Sequence, residues 1–382
     1  MKNLLAFKTD MTNIIKRNNV FFMLLIIVMF LMFNYINLCT RNVVFMDYWR
    51  NINFLIEPII NDTWQWQDFW HSDFGQRNVL QLVLLGLNIK FFNLNCVIES
   101  YLSILVIAAS CFVVFCEYKN LIIRFYGEKQ NRLAQFSFFP IMLLLFNMNQ
   151  WEILSLQFSF VFMLRLFCYI VIMFLLSGFF VNAVINWKYY LLLGVFTGFI
   201  LLFISQLYWP ILVLTLLIVW LLYTSIQKKF RIINFVSFWI PVVIAIGIYF
   251  YDIDMSKAGA SSGLLSSFFL DGVFLKGICY MLPSCLFPQT YFLKMSSVWS
   301  YGLGVLCIIM LISAFFCFLK YHLYQYTYLP IFLCVYGIIA VLSITYGRFF
   351  LFNIEYLSSS RYTCETTLLW CGVIFIFLLT KK

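Results

Sequence analysis

The sequence predicts an all-α, polytopic membrane protein with about ten transmembrane helices. Hydrophobic residues make up 64% of the chain and charged residues only 10%, whereas about 25% of the residues in an ordinary soluble domain are charged. The apolar runs are long and continuous, as at Phe21 to Phe33 and Tyr190 to Phe203, while the strands of a membrane β-barrel alternate in shorter pieces. Because hydrocarbon offers no partner to a backbone N–H or C=O, such runs cross the membrane as helices.

The basic residues fix the direction of each span, because cytoplasmic loops of membrane proteins are enriched in Lys and Arg. The basic clusters lie at Lys2 to Arg17, Lys119 to Arg132, Lys188, Lys228 to Arg231, Lys320, and Lys381 with Lys382. The apolar segments between them predict spans near 20–38, 96–116, 134–149, 155–179, 189–205, 209–224, 234–250, 302–319, 326–346 and 366–380. Residues 1–382 then form a single integral membrane domain with both termini in the cytoplasm. The net charge of +10 thus reflects topology, and we expect no nucleic-acid partner.

Two further apolar segments are predicted to lie at the outer surface of the membrane. If Val79 to Phe92 crossed fully, the basic cluster Lys119 to Arg132 would lie outside, against the charge rule. We therefore predict an interfacial helix there, within a first outer loop at 40–95. Leu264 to Leu286 is interpreted as interfacial or re-entrant, within a second outer loop at 251–301. A third outer loop spans 347–365.

The first outer loop combines carboxylates, aromatic residues and one of the two histidines of the chain. Carboxylates accept protons from hydroxyl groups or hydrogen-bond them, and aromatic faces stack on sugar rings. The alternative for the tryptophans is an interfacial belt. The candidate residues in this loop are Asp47, Trp49, Trp70, His71, Asp73 and Arg77.

Three arginines outside this loop are candidates for binding a lipid phosphate. Arg348 ends the ninth predicted span and Arg361 precedes the tenth, where lipid phosphate is the abundant anion. Arg165 lies deep within a predicted span, where a charge must face a cavity, a partner or a phosphate. The alternatives are anchoring among headgroups for Arg348 and Arg361, and pairing with buried carbonyls or hydroxyls for Arg165.

Four short motifs carry a resemblance to a known class of enzyme: Asp47-Tyr48-Trp49, His71 to Arg77, Asn149-Gln150-Trp151 and Ser360-Arg361-Tyr362. Together they resemble the polytopic GT-C glycosyltransferases, in particular bacterial surface-polysaccharide and serotype-converting types. The resemblance implies a GT-C-like fold, a catalytic carboxylate in the first extracytoplasmic loop and a polyprenyl-phosphate sugar donor. In one motif the chain departs from the pattern, because Phe-Gly-Gln stands between Asp73 and Arg77 and the second histidine is absent.

The resemblance implies that a sugar moves to a surface glycan such as O-antigen or capsule, at the extracytoplasmic face of the bacterial cytoplasmic membrane. Asp47 is the expected base. Asp73 and His71 are expected to position the acceptor or to serve as the base in place of Asp47. Arg77 and Arg361, backed by Arg348 and Arg165, are expected to hold the lipid phosphate. Trp49, Trp70 and Tyr362 are expected to contact the sugar. We predict no cofactor, with a divalent metal as the alternative.

Two other functions remain open from the sequence. An O-antigen or capsule polymerase of the Wzy type places arginines in later outer loops, but no arginine lies between Arg231 and Arg348. A flippase for lipid-linked oligosaccharides, or another transporter, requires polar residues in many spans. Apart from Arg165 the predicted spans are apolar.

Overall fold

The structure, a computed structural model, describes residues 17–42, 48–70, 72–73, 76–155, 159–228, 231–251, 253, 272–287, 289–292, 294–349, 357 and 359–380, a few of them by backbone alone. Within this part of the chain, eight helices are long and apolar enough to cross a membrane. The all-α, multi-pass prediction is therefore confirmed.

The eight long helices coincide with eight of the predicted spans. They are α1 (Asn19–Cys39), α5 (Val97–Tyr126), α9 (Ser159–Val181), α11 (Trp209–Gln227), α12 (Ile232–Phe250), α15 (Ser297–Lys320), α16 (Leu329–Phe349) and α17 (Thr363–Thr380). Helix α5 has 30 residues, a length of about 45 Å. Since hydrocarbon is about 30 Å thick, this helix carries Lys119 and Arg124 beyond the predicted span.

The other two predicted spans have a different form. The segment predicted at 134–149 is divided into α6 (Asn131–Ser137) and α7 (Phe139–Leu145), each of seven residues. Pro140 has no N–H to donate into the preceding turn, so the helix is interrupted there. The segment predicted at 189–205 is α10 (Trp187–Phe203), a single apolar helix of 17 residues.

The two ends of the helix bundle are defined by side-chain contacts. At one end Arg17 pairs with Glu128 at 3.5 Å and the Tyr126 hydroxyl donates to the carbonyl of Leu379 at 3.4 Å. We call this the terminal end, because the described chain begins and ends there. At the opposite end, the amide of Cys96 donates to Asn42 Oδ1 at 2.9 Å, and we call this the loop end.

The first predicted outer loop forms a small unit at the loop end. It contains α2 (Tyr48–Ile60), α3 (Trp66–Phe69), the antiparallel strands β1 (Ser72–Asp73) and β2 (Gln76–Arg77), and α4 (Val79–Phe92). Its own apolar core is made by Ile52, Leu55, Ile59, Phe69, Leu82 and Leu85. The segment Val79–Phe92 is thus helical, as predicted. Its position at the membrane surface stays a prediction.

The second predicted outer loop returns into the bundle. It is described as α13 (Val273–Met281), a 3-10 turn at Leu282–Cys285 and α14 (Gln289–Phe292). The turn is buried, and its Leu282 carbonyl accepts from the indole of Trp370 at 2.9 Å. Whether this segment is interfacial or re-entrant with respect to the membrane stays a prediction. One further short helix, α8 (Trp151–Ser155), precedes α9 at the loop end.

Helices α10 and α12 approach so closely that a glycine is needed between them. A Cβ added at Gly194 would lie 2.3 Å from the carbonyl oxygen of Phe238, closer than any real contact. Small residues permit such backbone approach in membrane helix pairs.

Gly194→Ala is therefore expected to destabilise the folded protein by about 1–3 kcal/mol, the cost of an overpacked contact. Gly247→Ala in α12 is the matched control, because a Cβ there meets nothing within 4 Å. Thermal unfolding in detergent measures both. Equal melting temperatures for the two variants would contradict the close packing.

Candidate functional site

A charged cluster at the loop end joins two of the motifs found in the sequence. The carboxylate of Glu152 in α8 pairs with the guanidinium of Arg361, which lies in a 3-10 turn at Ser360–Tyr362. The hydroxyls of Ser359 and Ser360 each donate to Glu152 Oε2 at 2.9 Å. The motif Asn149-Gln150-Trp151 thus ends beside the motif Ser360-Arg361-Tyr362, about 200 residues away in sequence.

Local capping holds both segments in place. The side chain of Asn147 caps the 3-10 turn at Met148–Gln150 by accepting from the amide of Asn149 at 2.9 Å. The side-chain amides of Asn147 and Asn149 also donate to the carbonyl of Cys285, at 2.5 and 3.1 Å. Thr363 Oγ1 donates to the carbonyl of Asn149 at 3.4 Å. The turn at Leu282–Cys285, α8 and the start of α17 therefore converge at this cluster.

Glu152 is held in its ionised form. Burial raises the pKa of its carboxyl, but the hydrogen bond and charge of Arg361, with the two serine hydroxyls, bring the pKa below its ordinary value. The cluster consequently contains a fixed carboxylate and a fixed guanidinium. The Arg361 side chain keeps 22% of its surface exposed, so an anion arriving at the loop end can reach it.

A second ion pair lies deeper in the bundle. Arg165, in the second turn of α9, pairs with Glu365, in the first turn of α17, and their side chains are 1% and 0% exposed. The Tyr336 hydroxyl donates to the other oxygen of Glu365 at 2.5 Å. The Arg165 guanidinium also lies over the Tyr208 ring, 3.6 Å from its centroid. The sequence placed Arg165 correctly in a buried setting, but it placed Glu365 in an outer loop.

Arg77 fixes the first loop to the bundle. Its Nε donates to the carbonyl of Tyr249 at 2.9 Å, its Nη1 to that of Trp70 at 2.6 Å and its Nη2 to that of Tyr251. The guanidinium also lies 4.7 Å from the Trp70 ring centroid. Arg77 is only 3% exposed. These contacts give Arg77 and Trp70 a structural role between the hairpin and the end of α12.

The remaining predicted site residues are described incompletely. Asp47 and His71 lie outside the described residues. Asp73 belongs to β1, Trp49 to α2 and Arg348 to α16, each by backbone alone. Tyr362 is buried beside Arg361 in the 3-10 turn. The described residues include no group of His, Cys, Asp or Glu that could hold a metal, and the metal alternative stays untested.

Sequence reasoning missed Glu152, Glu365 and Tyr336. A signal for the two carboxylates is present, because Glu152 directly follows Trp151 of one motif and Glu365 stands three residues after Tyr362 of the other. Tyr336 carries no such signal, since it is one of 23 tyrosines.

No family model, curated protein or solved structure matches the chain.

Proposed function

We propose that the chain is a membrane glycosyltransferase of the GT-C class, which moves a sugar from a polyprenyl-phosphate donor to a surface glycan at the loop end. The observation that carries this proposal is the Glu152–Arg361 contact, which brings two separate motifs of the resemblance together. An ionisable residue within a membrane-spanning segment marks a functional site by default, because it is costly to hold there, and Arg361 lies at the start of the candidate span Ser360–Thr380.

The distribution of charge supports an enzyme rather than a transporter. A transporter requires polar groups along a path through the membrane. Among the described ion pairs, the only fully buried one is Arg165–Glu365, which lies within two turns of the helix ends at the loop end. The buried pair Arg165–Glu365 and the partly buried pair Glu152–Arg361 therefore both lie toward the loop end, as expected for a site that receives its donor there. A Wzy-type polymerase remains the second candidate, weakened by the absence of arginine between Arg231 and Arg348.

In the proposed reaction an acceptor hydroxyl oxygen forms a bond with the anomeric carbon of the donor sugar. Asp47 accepts the hydroxyl proton, and Asp73 and His71 orient the acceptor. The bond between the anomeric carbon and the phosphate oxygen breaks, and polyprenyl phosphate leaves with the electron pair. Negative charge thus develops on the phosphate, where a fixed cation lowers the barrier.

Arg361 is the best placed cation of the described residues for this role. Arg165 is 1% exposed and Arg77 is 3% exposed, whereas Arg361 is accessible and rigidly held by Glu152. Arg348, at the end of α16, is proposed as a second cation that binds the same phosphate. Trp49 is proposed to contact the sugar. Tyr362 was predicted to do the same, but it is only 2% exposed, so we propose that it supports the turn that carries Arg361. Trp70 is proposed to support that surface by its packing against Arg77.

The proposed site lies on the outer face of the bacterial cytoplasmic membrane. Lys119, Arg124, Lys129, Arg132, Lys188, Lys228, Arg231 and Lys320 lie in segments at the terminal end. By the charge rule this end faces the cytoplasm. The loop end then faces outward in the bacterial cytoplasmic membrane, where the acceptor glycan and membrane lipids are the partners.

Arg361→Ala is expected to lower kcat/KM for a polyprenyl-phosphate donor by about 10²–10³-fold, the usual effect of removing one charge-stabilising donor. Transfer from a phosphate-free donor, such as a nitrophenyl glycoside, is expected to change far less. The assay measures labelled sugar in the glycan, with protein in liposomes. Lys90→Ala is the matched control, because Lys90 is a loop-end cation whose described partner is Asp62, at 2.7 Å. An equal loss with both donors would argue against phosphate binding at Arg361.

A further inference from the structure

A polar cavity lies at the terminal end, opposite the Glu152–Arg361 cluster. It has a volume of about 370 Å³ and lies between the end of α9 and parts of α10, α11 and α12. Its walls include Val184, Tyr190, Trp220, Tyr223, Arg231 and Asn234. Pockets that hold small ligands have volumes of about 300–1,000 Å³, so this cavity is large enough for one.

Asn234 lines the cavity and has a buried side-chain oxygen without a hydrogen-bond partner among the described residues. This residue is 5% exposed, and its Nδ2 donates to the carbonyl of Val184 at 3.2 Å. Its Oδ1 is buried and accepts no hydrogen bond in the described part of the chain. Buried polar atoms are nearly always satisfied. The Asn234 side chain also contacts the Tyr190 hydroxyl, and exchanging Oδ1 with Nδ2 would lose the bond to Val184. A hydroxyl group of a ligand would supply the missing donor.

Arg231 makes the same cavity attractive to an anion. It is exposed immediately before α12 and interacts electrostatically with the hydroxyls of Tyr190 and Tyr223. It forms no ion pair with any acid among the described residues. Lys188 and Lys228 lie in the neighbouring segments at this end. An arginine without an acidic partner in a cationic rim is suited to a phosphate group.

The aromatic walls are rigid and suit a hydroxylated carbon skeleton. Trp220 and Tyr190 are 3% and 2% exposed, and their ring centroids lie 5.7 Å apart. Tyr223 stacks on Phe180 with a centroid distance of 4.2 Å. These rings are almost fully buried against one another, so the walls have a fixed shape, with phenol hydroxyls near Arg231. Phosphate, hydroxyl and aliphatic carbon are thus each matched by a different part of the cavity.

We propose that this cavity binds a phosphate ester that carries a free hydroxyl, of the glycerophosphate type. The phosphate contacts Arg231, a hydroxyl donates to Asn234 Oδ1, and the carbon skeleton packs on Trp220 and Tyr223. Such an ester reaches the cavity as the headgroup of phosphatidylglycerol or as a soluble compound such as glycerol 3-phosphate. The proposal is independent of the sugar-transfer proposal, since it concerns the opposite end of the bundle.

The test measures binding of phosphatidylglycerol to the full chain in detergent by native mass spectrometry, with phosphatidylcholine as the zwitterionic comparison. We expect phosphatidylglycerol to bind more tightly, and Arg231→Gln to weaken it about tenfold through loss of one charge-assisted contact. Lys228→Gln is the matched control, because it removes a neighbouring cation that does not line the cavity. We expect less than a twofold change for this control.

The variant Asn234→Leu tests whether a hydroxyl of the ligand contributes to binding. It is expected to weaken phosphatidylglycerol but not phosphatidic acid, whose headgroup carries no hydroxylated substituent. If glycerol 3-phosphate displaces phosphatidylglycerol, the ligand is a soluble ester. If phosphatidylglycerol binds and glycerol 3-phosphate does not displace it, the ligand is the lipid. Because Arg231 is exposed, its variant is expected to fold even if the Asn234 variant does not. Equal binding of both phospholipids, or no effect of Arg231→Gln on phosphatidylglycerol and glycerol 3-phosphate, would overturn the proposal.

Discussion

Asp47→Asn is expected to reduce sugar transfer from a polyprenyl-phosphate donor by about 10²–10⁴-fold, the usual contribution of a general base. The amide has the shape of the carboxylate but cannot accept the proton of the acceptor hydroxyl. Protein level and melting temperature are expected to stay unchanged, because the substitution conserves side-chain size. The rate of transfer of labelled sugar into glycan, measured in liposomes, provides the readout.

Asp62→Asn is the appropriate control for this prediction. Asp62 lies in the same loop and pairs with Lys90 at 2.7 Å, but both side chains are largely exposed, so its loss is expected to leave transfer intact. If Asp47→Asn keeps full activity and Asp73→Asn loses it, the base is Asp73. Full activity in both variants would remove carboxylate base catalysis by these residues from the proposal.

Glu365→Gln is expected to destabilise the folded protein by about 3–5 kcal/mol, the typical cost of breaking a buried ion pair on one side. The substitution leaves the Arg165 guanidinium 1% exposed and without a counter-charge. Its Nε and Nη1 already lack hydrogen-bond partners in the described structure, so little else can compensate. The free energy of unfolding in mixed detergent micelles measures the effect.

Two comparison variants separate this effect from a general loss of charge. Glu128→Gln breaks the exposed Arg17–Glu128 pair and is expected to cost less than about 1 kcal/mol. The double variant Arg165→Met with Glu365→Leu removes both buried charges and is expected to recover most of the stability. A double variant as unstable as Glu365→Gln alone would show that the pair does not account for the loss.

The helical architecture was readable from the sequence because hydrocarbon imposes it. Continuous apolar runs such as the one in α1 have no other way to satisfy their backbone, and eight predicted spans coincide with long helices. The helix is interrupted near Pro140 because proline lacks a backbone N–H. The apolar composition of 134–149 does not reveal this interruption. The turn at Leu282–Cys285 is held by a hydrogen bond from Trp370, 88 residues after Leu282 in the chain, and no local pattern reveals such a contact.

The site was readable only in part, for a similar reason. Arg165 and Arg361 stood out because charge near hydrocarbon is rare, and both lie at ion pairs. Their partners Glu365 and Glu152 did not, since acidic residues contribute little to topology and pairing over about 200 residues is set by helix packing. Arg77 was singled out as a phosphate ligand, yet its donors bind the carbonyls of Trp70, Tyr249 and Tyr251, which offer no side-chain signal.

The most direct test of sugar transfer at the loop end uses the unmodified chain in liposomes with a panel of radiolabelled polyprenyl-phosphate sugars and an envelope glycan as acceptor. The proposal predicts that with one donor the label enters the glycan while an equal amount of polyprenyl phosphate is released. If folded protein releases no polyprenyl phosphate from any donor of the panel, the assignment as a polyprenyl-phosphate-dependent glycosyltransferase is contradicted.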